Sequence, residues 1–103
     1  MYDISPEELK DYKAYTIVDI RDSMSYAYGH LPDAISVPQA ELSTYIDEWK
    51  DAGKILIYCK RGEASLDAVL MLREQGVEAY NLDGGYMAVS YTHLRAHETC
   101  ADL

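Results

Sequence analysis

The chain has 103 residues, 49% hydrophobic and 26% charged, enough for one domain with a single modest core. Eighteen acidic residues against nine basic ones give a formal charge of -9, which argues against a nucleic-acid partner and against an anionic membrane surface. A small anionic substrate stays open, because a local pocket can oppose the global sign.

Met1 to Ser5 contains neither the basic nor the apolar region of a secretory signal, so a reducing cytoplasm is the expected compartment. Ser5-Pro6-Glu7-Glu8 reads as a helix start, with Ser5 capping, Pro6 at the first helical position and Glu8 closing a capping box; Leu9 is the first buried position. Tyr15 to Ile20 is β-branched and aromatic and predicts a strand. Asp22 or Ser23 caps a short helix over Ser25 to Tyr28 that Gly29 stops. Ala34 to Val37 predicts a second short strand between Pro32 and Pro38. Leu42, Tyr45, Ile46 and Trp49 recur at helical spacing, which predicts an amphipathic helix over Gln39 to Lys50.

Lys54 to Tyr58 predicts a strand buried on both faces; its apolar run is far too short to cross a bilayer. The helix after the next loop should turn Leu66, Val69, Leu70 and Leu72 inward and close at Gly76. Glu78 to Leu82 is a further strand, followed by Asp83-Gly84-Gly85. Strands alternating with helices predict an α/β fold around a mainly parallel sheet.

The chemistry concentrates at Cys59-Lys60-Arg61-Gly62-Glu63-Ala64-Ser65, a short loop between a buried strand and a helix. Ligands bind at the carboxyl ends of strands in open α/β sheets. The free N–H groups and positive end of the next helix favour a thiolate or a bound anion. Lys60 and Arg61 add two positive charges, Gly62 lets successive N–H groups face inward, and Ser65 can cap the helix or hydrogen-bond the sulfur. A cysteine at a strand end is equally readable as a small buried hydrophobe, and spacing alone leaves both readings open. The position six residues after the cysteine is Ser65 and not an arginine that could clamp an oxyanion, which argues against phosphate chemistry on this loop.

Three segments together resemble a single-domain rhodanese, of the sulfurtransferase family. Val18-Asp19-Ile20-Arg21, Tyr26, Gly29-His30-Leu31-Pro32-Asp33-Ala34 and Val37-Pro38 resemble its first motif. Ile57-Tyr58-Cys59 with Gly62 and Ser65 resembles its active loop, and Leu82-Asp83-Gly84-Gly85-Tyr86 its closing motif. The resemblance implies a five-stranded sheet flanked by helices and a persulfide on Cys59. It implies a loop from Lys60 to Ser65 that binds substrate and persulfide, with Asp19 and Arg21 bracing it as a charge pair. His30 is expected to hold a turn. The expected partners are an anionic donor such as thiosulfate, a thiol or cyanide acceptor and a sulfur-relay protein. No cofactor and no metal is expected. Ser25, Glu63 and Ala64 depart from the family pattern, so donor preference stays open. The competing expectation is a non-catalytic sulfur-carrier, redox-sensing or protein-interaction module.

Residues 1–88 are expected to form the domain. Val89 to Thr99 resembles one reading frame of a transposase-type sequencing-library adapter, so residues 89–103 are expected to be a non-native tail that truncates or replaces the last helix. On that reading the spacing of His93 and His97, and any pairing of Cys59 with Cys100, are accidental.

Overall fold

The computed structural model describes residues 2–9 and 11–92. Five strands form one parallel sheet: β1 (Asp3–Ile4), β2 (Tyr15–Asp19), β3 (Ile35–Ser36), β4 (Lys54–Tyr58) and β5 (Ala79–Leu82). Their order across the sheet is β1-β5-β4-β2-β3, with β4 at the centre. The helices are α1 (Ser23–Tyr28), α2 (Ile46–Trp49), α3 (Glu63–Glu74) and α4 (Gly85–Thr92), with 3-10 helices over Tyr12–Ala14 and Gln39–Tyr45. The expected parallel α/β architecture is therefore the observed one, with a two-residue edge strand, β1, that no residue pattern had marked.

Side chains along β4 alternate between two apolar layers, as the pleat requires. Ile55, Ile57 and Cys59 join Val69, Leu72, Leu42 and Trp49 on one face. Leu56 and Tyr58 join Leu9, Ile17, Leu31, Leu82 and Val89 on the other. This alternation fixes which layer Cys59 enters: the one shared with α3.

Three local expectations need correction. The Ser5–Glu8 box forms, with the Ser5 amide donating to Glu8 Oε1 (3.0 Å) and the Glu8 amide to Ser5 Oγ (3.3 Å), but it closes only a turn. Asp11 already caps the next 3-10 helix at Tyr12, leaving too little chain to repay helix nucleation. Gln39 to Trp49 is a 3-10 helix followed by one α-turn, and Thr44 Oγ1 donates to the Glu41 carbonyl (2.7 Å), the kind of side-chain bond that competes with the α-helical ladder. In α3 the buried positions are Ser65, Ala68, Val69 and Leu72, whereas Leu70 is 45% exposed. A polar residue, Ser65, takes the first slot of the inward stripe, so a count of apolar residues alone puts the helix phase in the wrong place.

No described helix is long and apolar enough to cross a membrane. Of the segment read as a foreign tail, Val89 lies in α4 and is buried in the second layer. His93, His97 and Cys100 lie outside the described residues.

Candidate active site

Strand β4 ends at Tyr58 and α3 begins at Glu63, so Cys59 to Gly62 make one tight loop at the carboxyl edge of the sheet. Gly62 sits at φ 93°, a left-handed conformation that glycine adopts without a Cβ penalty. The turn aims amides at the sulfur: the Gly62 N–H reaches Cys59 Sγ at 3.1 Å and the Ser65 N–H at 3.3 Å. Ser65 Oγ lies 3.2 Å from the sulfur. Burial disfavours the Cys59 thiolate, the amides of Ser65, Gly62 and Arg61 favour it, and the pKa lies below that of an ordinary thiol.

The loop is held from behind by the first turn of α4. The Tyr86 N–H donates to the Cys59 carbonyl (2.8 Å) and the Met87 N–H to the Lys60 carbonyl (3.0 Å). Carbonyls thus point toward α4 while amides point toward the sulfur. The approach is close enough that a Cβ on Gly85 would lie 2.6 Å from the Lys60 carbonyl carbon.

Cys59 opens into a cavity of about 430 Å³ whose walls include Arg21, Asp22, Gln39, Lys60, Ala64 and Tyr86. Lys60, Arg61, Glu63 and Ala64 line a second, smaller depression with the sulfur; Lys60, Arg61, Glu63 and Ala64 are on the accessible side of the loop. Among the described residues neither Lys60 nor Arg61 is in an ion pair, so both charges face solvent and any entering anion.

Asp19 is fully buried and accepts from the Arg21 backbone amide (2.8 Å), Nε (3.0 Å) and Nη2 (2.7 Å). Arg21 Nη2 also donates to the Gly29 carbonyl (2.6 Å), and its guanidinium lies 4.2 Å from the Tyr86 ring centroid. The pair therefore joins the β2–α1 turn, the Gly29 segment and the start of α4, and the guanidinium also lies 5.6 Å from the ring centroid of Tyr58, the residue before Cys59. His30 stacks on the Tyr26 ring (3.8 Å) and its Nδ1 contacts the Tyr26 carbonyl (2.8 Å), within the turn that precedes β3. Replacing Arg21 by Gln leaves a buried carboxylate with fewer donors and is expected to cost about 2 kcal/mol, read from the denaturant midpoint at constant slope.

Asn81 was not anticipated. It is 2% exposed in β5 and touches Ser65, Asp3 and Gly62. An amide in an otherwise apolar parallel strand was the available signal, since a buried polar side chain requires partners.

A cysteine of lowered pKa in an amide-lined loop, at the carboxyl edge of a parallel sheet and open to a cavity, places the chain among α/β domains built around a cysteine loop. The chain belongs to the rhodanese-like domain family, whose model matches residues 5–92. It is 38% identical over 82 residues to the thiosulfate sulfurtransferase GlpE of Pseudoalteromonas translucida, covering 79% of this chain and 78% of that one. A rhodanese-like domain protein from Staphylococcus aureus superimposes with a TM-score of 0.76 at 29% identity, over 85% of this chain and 90% of the other. Human single-domain sulfurtransferase TSTD1 shares the fold, with a TM-score of 0.77 at 20% identity over 90% and 98% of the two chains.

Proposed function

We propose that the protein is a sulfurtransferase that carries sulfane sulfur on Cys59. The observation that supports this best is the pair of backbone N–H groups, from Gly62 and Ser65, that converge on Sγ at hydrogen-bond distance. Fixed donors of this kind stabilise a thiolate before attack and an anionic persulfide after it, with no reorganisation during the step. The thiolate attacks the outer sulfur of thiosulfate; the sulfur–sulfur bond of the donor breaks and sulfite leaves with its electron pair. Cys59 then bears a terminal S⁻. An acceptor thiolate or cyanide takes that outer sulfur, and the Cys59 thiolate returns. Charge balances in both steps and no proton must be moved by a separate base.

Lys60 and Arg61 favour an anionic donor at the mouth, and Glu63 opposes them. The cavity is larger than thiosulfate alone requires and has room for a thiol-bearing acceptor. Two consequences are measurable. Thiocyanate production from thiosulfate and cyanide should show ping-pong kinetics, with parallel double-reciprocal lines; intersecting lines would require both substrates to bind together and would contradict a covalent carrier. Because the Cys59 pKa is lowered, the thiolate persists to lower pH than in a free thiol. Iodoacetamide alkylation should therefore reach half its plateau rate below the range of an ordinary thiol. A midpoint at or above that range would show that burial wins over the amides.

A further inference from the structure

Cys59, Ser65, Asn81 and Asp3 form one hydrogen-bonded chain that runs from the nucleophile to the edge strand β1. Its direction can be deduced from the donor and acceptor inventory. Asn81 Nδ2 lies 2.8 Å from Asp3 Oδ1 and 3.3 Å from the Gly62 carbonyl. The Gly62 carbonyl can only accept, so the amide nitrogen must face it, and with it the Asp3 side chain. The flipped amide would set three acceptors against one another. Asn81 Oδ1 therefore faces Ser65 Oγ, 2.5 Å away, and it too can only accept. The single hydroxyl proton of Ser65 must go to Asn81. What Ser65 then offers Cys59 at 3.2 Å is a lone pair, which accepts from the S–H of the thiol and does nothing favourable for a thiolate.

We propose that Asn81 is a positioning residue that sets the protonation state of Cys59 by holding the Ser65 hydroxyl proton. In the thiol form of the site Cys59 donates to Ser65 and Ser65 donates to Asn81. For Ser65 to donate to the thiolate or persulfide, its hydroxyl must rotate and leave the buried Asn81 oxygen without a donor. The amides of Gly62 and Ser65 thus pull the thiol toward ionisation while the Asn81–Ser65 pair restrains it, and Asp3 and Gly62 hold Asn81 in the restraining orientation. Other charged and titratable groups face the sulfur from neighbouring elements: Arg21 and Asp22 beyond β2, Lys60, Arg61 and Glu63 around the loop, and Tyr86 of α4. None of them contacts the Ser65 hydroxyl, so the effect belongs to the relay alone. The proposal deepens the sulfurtransferase reading and rests on it for its consequence, a Cys59 pKa held higher than the loop amides alone would set it.

The test is the pH midpoint of Cys59 alkylation by iodoacetamide, without any sulfur donor, in a Cys100→Ser background so that one thiol reports. Asn81→Leu frees the Ser65 proton for the thiolate and should raise alkylation below the midpoint about tenfold, equivalent to a midpoint about one pH unit lower. Ser65→Ala removes the lone pair and should raise it about twofold, since S–H is a weak donor. The double variant should match Ser65→Ala, because Asn81 acts only through Ser65. A Ser65→Ala midpoint above wild type would overturn the proposal, since Ser65 would then already be donating to the sulfur; this sign decides even if Asn81→Leu fails to fold. An Asn81→Leu midpoint at or above wild type in folded protein would overturn it as well. Thiocyanate production by the wild type is measured separately: its absence would remove the sulfur-transfer reading and leave the order of the midpoints intact as a test of the relay.

Discussion

Cys59→Ser is expected to reduce thiosulfate-dependent thiocyanate production by more than about 1000-fold, because a covalent carrier loses its intermediate and not merely one contact. The hydroxyl would occupy nearly the same place and accept from the same two amides, Gly62 N–H and Ser65 N–H. It would remain protonated at neutral pH and cannot hold a transferable sulfur. The fold should survive, since the replacement is close in size and its oxygen finds donors in place. A melting temperature within a few degrees of wild type, together with lost activity, is the expected pair of results. Retained transfer in this variant would place the chemistry elsewhere.

Gly85→Ala should damage both stability and turnover. Gly85 has φ +66°, and its Cβ would lie 2.6 Å from the carbonyl carbon and oxygen of Lys60 and 2.7 Å from the Arg61 nitrogen. These are backbone atoms of the cysteine loop and cannot rotate away. The left-handed conformation and the overpacking together are expected to cost about 3 kcal/mol. To relieve the contact, α4 or the loop must move, and the amides around Sγ move with it. Since a displacement of about 1 Å can cost a hundredfold in rate, a loss of that order in sulfur transfer is expected. Gly53 supplies the contrast: its φ is +83°, but nothing lies within 4 Å of where a Cβ would stand. Gly53→Ala should cost only about 1 kcal/mol and leave transfer unchanged. Equal effects at the two glycines would show that backbone conformation alone, and not contact with the loop, explains the loss.

Much of the architecture was legible because it follows from local chemistry. The Lys54 to Tyr58 run is apolar at successive positions, as a strand covered on both faces must be, and it is the central strand. Asp22 caps α1 through its bond to the Ser25 amide, as its residue type suggested. Less legible were features set by tertiary demands. The two-residue β1 has no pattern of its own and exists through its pairing with β5. The phase of α3 follows the site: Ser65 points inward toward the sulfur, and Leu70 is left outside. At the site, the loop and the Asp19–Arg21 pair could be named from motif spacing, but their contacts could not. Gly85 offers no side chain to read, and its importance lies in a close approach of two backbone segments. Asn81 stands 22 residues from the cysteine in sequence and reaches the loop only because β5 pairs with β4.

The central claim is that Cys59 itself carries the sulfur. Its most direct test is intact-protein and peptide mass spectrometry after incubation with thiosulfate, repeated after brief treatment with cyanide. A sulfur-carrying Cys59 predicts a gain of one sulfur atom, localised to the peptide containing Cys59, lost on cyanide treatment with matching release of thiocyanate. An unmodified Cys59 peptide after thiosulfate, or a sulfur gain that maps only to Cys100, would contradict it.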